Sequence, residues 1–360
     1  MTFVHESQSM LSLHQARPAV TSLVLSVLML SAGACAPSAS TTNQRAVAPT
    51  VTDGQETGAG VASVYAAPAF EVVMTEDIVY AQGLSHETWG SDSAETMDLL
   101  LDVYEPVRSD DAVMPAIVMI HGGGFNGGSK STSWISQWAP WFAERGWVVY
   151  SIDYRVSGDH GTLPSVYPEL STDLTDERTD QARALYPACR DAKAAIRWIK
   201  ANGDDYSVST DHIAVIGGSA GSVLAVTLGV SDPEDCTGEI SIDDDPTLST
   251  TNLDQSSDVA TVINHWGGTP ILVALELMDG IDRFDATDAP VSIIHGTEDR
   301  TVPFSEAETI QAAYEETGVA HEWHPLESRG HGPWDATLDG QTLFESAYDF
   351  IIEIQELQVG

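Results

Sequence analysis

Positive charge is what this 360-residue chain has least of: 15 lysines and arginines stand against 54 aspartates and glutamates, a formal net charge of -39. Lysine occurs only at 130, 193 and 200. So large an imbalance argues against nucleic acid and anionic membrane surfaces as partners, because both need clustered basic side chains. It suits the solubility of a secreted protein and equally a saline habitat. Cysteine is nearly missing as well, with residues at 35, 189 and 236. No second thiol or histidine stands at ligand spacing from Cys189 or Cys236, so neither reads as a metal ligand or a nucleophile, and the chain calls for no metal and no cofactor. Whether those two cysteines pair stays open. Long apolar runs are also lacking. The stretch Ala19 to Leu30 has 12 residues, too few to cross a bilayer comfortably, which takes about 20.

What the chain does hold is a serine in a tight place. Gly217-Gly218-Ser219-Ala220-Gly221 follows the apolar run Ile213 to Ile216 and precedes a helix-compatible stretch, Ser222 to Val226. Strand, sharp turn and helix are the setting in which Gly-x-Ser-x-Gly becomes a nucleophile elbow, with a strained serine backbone crowded enough to require glycine two positions before and after. Upstream, the strand pattern Ala116 to Ile120 runs into His121-Gly122-Gly123-Gly124-Phe125. Glycines leave backbone N–H groups uncovered there, and those of Gly123 and Gly124 with that of Ala220 form a candidate oxyanion hole. A serine hydroxyl needs a base, and the base needs an orienting carboxylate. The strand pattern Pro290 to Ile294 leads into His295-Gly296-Thr297-Glu298-Asp299, where Asp299 is the expected acid and Glu298 the neighbour that points elsewhere. Flanking glycines at 330 and 332 let a loop carry His331, the expected base, close to the serine. His295, His321 and His324 lie on or beside strand patterns and read as structural. Ser219, Asp299 and His331 thus follow the chain order serine, acid, histidine expected of an α/β-hydrolase.

Together these motifs resemble the bacterial carboxylesterases of the α/β-hydrolase superfamily, in the branch shared by hormone-sensitive-lipase-like esterases and the smaller feruloyl-esterase-type enzymes. The matching residues are HGGGF at 121–125, Asp153-Tyr154-Arg155, PACRDAKAAIRW at 187–198, GGSAG at 217–221, HGTEDRTVP at 295–303 and Gly330-His331-Gly332, so the resemblance spans about residues 70–357. Gly218 stands where the hormone-sensitive-lipase-like branch has an acidic residue, which favours the other branch, and Ser222 replaces a second glycine. The resemblance implies an α/β fold, a mostly parallel central sheet with helices on both faces and lid-like insertions. It further implies a serine carboxylic-ester hydrolase that acts through an acyl-enzyme on short-chain or aromatic esters, with feruloyl, acetylxylan or polyester substrates as the alternative. A serine peptidase of the same fold normally carries a large extra domain, for which this chain has no room. The intact Ser219, Asp299 and His331 speak against a non-catalytic binding protein.

Hydrophobic residues make up 42% of the chain, enough for one large core, and no repeat is visible. Ser31-Ala32-Gly33-Ala34-Cys35 after the short apolar run resembles a signal peptide ending in a lipobox, with Cys35 lipidated and tethering the mature chain to a membrane. The expected organisation is a leader over 1–35, a flexible linker over 36–68 and the hydrolase domain over 69–357, exported as a cell-envelope lipoprotein or a secreted protein. Strand patterns fall at Phe70–Tyr80, Met97–Tyr104 and near 115–120, 147–152, 212–216, 260–265, 290–295 and 320–325. One helix is expected to open at Pro187 and another to close the chain from Gln341 to Ile354. Segments 156–186 and 232–259 lack regular pattern and are expected to form lids or walls at the active-site edge. Asp243-Asp244-Asp245 and Asp173, Asp176 and Asp180 read as solvated acidic loops. Trp134, Trp138 and Trp141 recur at helical spacing and read as core, whereas Phe125, Trp266 and Trp334 are candidates for an aromatic substrate pocket.

Overall fold

A computed structural model describes residues 61–165, 167 and 176–360. The leader, Cys35, Asp173 and most of the linker lie outside the described residues. Eight strands form one sheet: β1 (Val72–His86), β2 (Ala94–Pro106), β3 (Met114–Ile120), β4 (Val148–Ile152), β5 (Val208–Gly218), β6 (Thr261–His265), β7 (Val291–Gly296) and β8 (His321–Leu326). Their order is β1-β2-β4-β3-β5-β6-β7-β8. The β1/β2 and β2/β4 pairs are antiparallel and every later pair is parallel. Every residue of β3, β4, β6 and β7 is buried, as strands covered on both faces must be.

Alternation along those strands feeds two cores. Val118 and Ile120 face the same core as helices α2 (Asp176–Ala201), α3 (Ala220–Val230), α4 (Pro270–Asp279) and α5 (Phe304–Thr317). Ile117 and Met119 face the other core, built with α1 (Ser133–Ala143) and α6 (Leu343–Ile354). Helices on both faces of a sheet that is parallel from β4 through β8 place the strands' carboxyl ends, and the loops that follow them, along one edge, where ligands bind in such folds.

Four expectations need correction. The helix expected to open at Pro187 begins at Asp176, and Pro187 sits inside it. Gly161 makes room for the ring, since a Cβ there would lie 2.5 Å from Pro187 Cβ, and the buried run Ala184, Leu185, Tyr186 continues the apolar face upstream. Domain packing extends past 69–357 at both ends: Val64 is fully buried and bridges Val359, and Gly360 N–H donates to the Val64 carbonyl at 2.8 Å. Segment 232–259 is a strap along α2 rather than an active-site wall. Lys193 and Arg197 donate to the carbonyls of Asp232 and Pro233, Tyr186 to Glu239, and Gln82 N–H to Thr250 Oγ1. Finally, Asp245 is not solvated but fully buried, ion-paired with Arg190 and accepting from Thr247. A disulfide between Cys189, midway along α2, and Cys236 fastens the strap, with Cα atoms 6.0 Å apart.

Candidate active site

Strand β5 ends on Gly217-Gly218 and α3 opens at Ala220, which leaves Ser219 alone on the corner. Its backbone sits at φ 57°, ψ -121°, a region that side chains with a Cβ rarely adopt. The corner closes only on glycine. A Cβ on Gly217 would lie 2.3 Å from Gly221 backbone, and one on Gly221 would lie 2.0 Å from the Ile120 carbonyl oxygen. Ser219 N–H donates to the His265 carbonyl at 2.9 Å, which ties the corner to the end of β6. Ser222 adds a second tie: its hydroxyl donates to the same carbonyl at 2.9 Å and accepts His265 N–H at 2.8 Å.

The loop after β8 brings His331 to this corner. Ser219 Oγ is 2.9 Å from His331 Nε2, and His331 Nδ1 is 2.7 Å from Asp299 Oδ2. Asp299 Oδ1 accepts from the N–H groups of Thr301 and Val302 at 2.8 and 3.0 Å. Of the two neighbouring carboxylates, Asp299 is buried and meets His331, and Glu298 is exposed. Burial alone would raise the pKa of Asp299, but His295, His331 and Thr301 N–H hold it well below the usual carboxylate range. The acid is therefore ionised, and the His331 hydrogen stays on Nδ1 with Nε2 free to accept from the serine.

Across from Ser219 lies the glycine loop. Gly123 and Gly124 adopt φ 123° and 60°, and a Cβ on Gly123 would meet Gly127 O at 2.0 Å. Among the described residues the N–H groups of Gly123, Gly124 and Ala220 donate to no protein acceptor. The loop's carbonyls, by contrast, are occupied. His121 Nδ1 donates to Gly122 O at 2.7 Å, Asn126 N–H to Gly123 O at 3.1 Å, and Gln181 Nε2 to Gly124 O at 3.1 Å. A trans peptide points its N–H away from its C=O, so anchoring the Gly122 and Gly123 carbonyls aims the N–H groups of Gly123 and Gly124 the other way. His121 is in turn stacked on Tyr154, with centroids 4.3 Å apart, and burial lowers its pKa. Tyr154 OH donates to the His121 carbonyl at 2.9 Å. Behind it Arg155 forms a fully buried bidentate pair with Asp191, at 2.9 and 2.7 Å. His121, Tyr154, Asp191 and Gln181 were not singled out as site residues. The first three stand inside family-like motifs, but nothing in the spacing told which peptide they would hold.

The pocket candidates divide. Trp266 is 1% exposed and Phe125 6% exposed, so both pack beneath the site instead of forming an open wall, because a large ring gains most from full burial. Trp334 is half-buried and packs against Gly218, where a Cβ would sit 2.5 Å from its ring. It stacks on Trp134 at 4.5 Å and meets Trp138 and Trp266 edge-on at 5.2 and 4.7 Å. These rings enclose His265, whose Nδ1 donates to Gly217 O at 3.1 Å and whose pKa burial pulls down to about 3. His321 and His324 bond locally on β8, to the Val319 carbonyl and to Glu322. Among the described residues no group of histidines, cysteines and carboxylates is arranged to hold a metal ion.

Comparison with known proteins places this geometry. The family described as BD-FAE matches residues 101–173 and 175–279. Fumonisin B1 esterase of Sphingopyxis macrogoltabida is 29% identical over 37% of this chain and 23% of its own length. Esterase LipC of Mycobacterium tuberculosis is 29% identical over 41% of this chain and 30% of its own. The match thus spans less than a third of either relative. Among solved structures, apo esterase 2 of Thermogutta terrifontis aligns with a TM-score of 0.54 and 25% identity, over 81% of this chain and 96% of that one. The same esterase phosphorylated by paraoxon aligns at 26% identity with a TM-score of 0.53, and it has also been solved with propionate and with butyrate bound. With this strand order, this corner serine and these likenesses, the chain has the α/β-hydrolase fold and is similar to bacterial esterases.

Proposed function

We propose that the chain hydrolyses carboxylic esters with short or aromatic acyl groups through a serine-bound acyl-enzyme. The observation that carries this is the unbroken relay Ser219–His331–Asp299 beside three unengaged backbone N–H groups. His331 Nε2 removes the Ser219 proton as Oγ attacks the ester carbonyl, and the N–H groups of Gly123, Gly124 and Ala220 hold the developing oxyanion. Imidazolium His331, stabilised by ionised Asp299, then protonates the leaving alcohol. Water enters, His331 takes its proton as the water oxygen attacks the acyl carbon, and the acid leaves as His331 gives that proton back to Ser219 Oγ. Likeness to an esterase solved with propionate and butyrate supports the short-acyl preference.

The test is turnover of p-nitrophenyl esters of graded length, methyl ferulate, acetylated xylan and an aromatic polyester, with stoichiometric inactivation by paraoxon. Ser219→Ala and His331→Ala are expected to lower kcat roughly 10³-fold or more without loss of fold. Asp299→Asn should cost similarly and Glu298→Gln little. An inactive Glu298→Gln beside an active Asp299→Asn would reverse the acid assignment.

Export, with Cys35 lipidated, is part of the same proposal. The Cys189–Cys236 disulfide supports it, since such bonds persist in oxidising compartments. Mass spectrometry of the mature chain is expected to find a diacylated or triacylated Cys35, and Cys35→Ser to release the protein from membranes. An unmodified N-terminus elsewhere would leave simple secretion.

A further inference from the structure

We propose that His295 is a positioning residue for the relay: its imidazole, held between the Val302 carbonyl and Asp299, fixes the carboxylate that orients His331. This rests on the ester-hydrolase reading of Ser219, His331 and Asp299. His295 stands near the end of β7 and is fully buried. Its Nε2 lies 2.9 Å from Val302 O and 3.4 Å from Asp299 Oδ2, the same oxygen that accepts from His331 Nδ1 at 2.7 Å. A carbonyl only accepts, so Nε2 carries the ring hydrogen. Among the described residues the buried Nδ1 has no partner, so a second ring proton there would be stranded.

The charged and titratable groups around this ring are few. Asp299 lies on the loop after β7, His331 lies beyond that carboxylate, and Glu306 lies on α5 with its buried carboxylate accepting from Thr269 N–H and Oγ. Phe304 meets the ring edge-on at 5.9 Å. A histidine needed only to fill space would be satisfied by Val302. Here Nε2 also lies 3.4 Å from the one oxygen on which the tautomer of the base depends. Asp299 stays ionised despite its burial, which fits a second N–H donor on Oδ2.

Three variants separate positioning from packing. His295→Gln keeps an N–H near the Nε2 position, His295→Asn withdraws it, and His295→Leu removes it at similar volume. Each is measured for kcat and KM on p-nitrophenyl butyrate from about pH 5 to about pH 9, alone and with Asp299→Asn. Leucine and asparagine are expected to lower kcat roughly tenfold, leave KM within about twofold and move the acid limb of kcat/KM, while glutamine restores most of the loss. With Asp299→Asn already present, His295→Leu should add nothing, because the group it acts on is gone. In the resting protein, the far-downfield proton resonance of the His331–Asp299 hydrogen bond is expected to weaken with leucine and return with glutamine.

Equal kcat and equal acid limbs for glutamine and asparagine, or a leucine effect fully additive with Asp299→Asn, overturn the proposal. If the leucine variant does not fold, the glutamine and asparagine pair decides alone. A wild-type chain with no ester turnover defeats the function reading instead, and the resonance still reports on His295.

Discussion

At the corner, one residue carries both the strain and the chemistry. Ser219 is held at positive φ by two hydrogen bonds through His265 backbone and by glycines on either side. His265 therefore matters to the fold as much as to the site, and its titration exposes that. Burial draws its pKa down to about 3, whereas the unfolded chain titrates near 6.5. Its contribution is fully present above about pH 6.5 and is lost as pH falls toward about 3, because the unfolded state takes up the proton first. Unfolding free energy should fall by about 1.4 kcal/mol per pH unit in that window from this group alone. His265→Asn, whose amide still donates to Gly217 O, should flatten the slope in urea titrations between about pH 6 and about pH 4. An unchanged slope would mean that His265 is not the titrating group. At this scale the sequence was most informative about Ser219, Asp299 and His331, since turn glycines mark where a catalytic side chain is exposed. It was least informative about Trp266 and Phe125, which stand at the right edge of the sheet but are buried, and about His121 and Tyr154, whose task is to aim peptide groups.

Among the elements, strands were legible because parallel strands covered on both faces must be short unbroken apolar runs, as in Ala116–Ile120 and Val291–Ile294. The beginning of α2 was not. Pro187 has the look of a first-turn proline, and only the tertiary fit against Gly161 lets it sit inside the helix. Nor was the strap legible, because Arg190–Asp245 and Cys189–Cys236 join residues far apart in the chain and leave no periodic trace. That strap gives the element-scale prediction. Closing a 47-residue separation removes about 4 kcal/mol of chain entropy from the unfolded state. Cys189→Ala with Cys236→Ala, or reduction under mild conditions, should lower stability by that order while ester turnover at low temperature survives, since the strap's polar contacts are with α2, with β1 and with Arg283 after α4. Loss of kcat before loss of fold would place the strap in the site after all.

Taken whole, the molecule uses its few cations inside. Of the 13 lysines and arginines among the described residues, seven are buried: Lys130, Arg145, Arg155, Arg190, Lys193, Arg197 and Arg283. Lys130 pairs with Asp77 and Asp102, and Arg283 with Asp235 and Asp279. The -39 of the full chain is therefore carried by an exterior with still less positive charge than the composition suggests. Self-repulsion should weaken the fold at low ionic strength, and screening should relieve it as the Debye length shrinks from about 30 Å at 0.01 M to about 3 Å at 1 M salt. Melting temperature is expected to climb across that range with turnover of an uncharged ester retained; a flat curve would leave ordinary solubility as the account of the charge.

The interior lysines have a practical side. Lys130 is 8% exposed and Lys193 1%, which leaves Lys200 as the lysine amine within reach among the described residues. Reagents that couple through primary amines, whether dyes, cross-linkers or activated resins, will find few lysines to hold, Lys200 beside any free α-amino terminus. Carboxylate chemistry will instead find a handle everywhere. An immobilised form of this protein is therefore best attached through its acids, and a label on Lys200 reports on the last turn of α2.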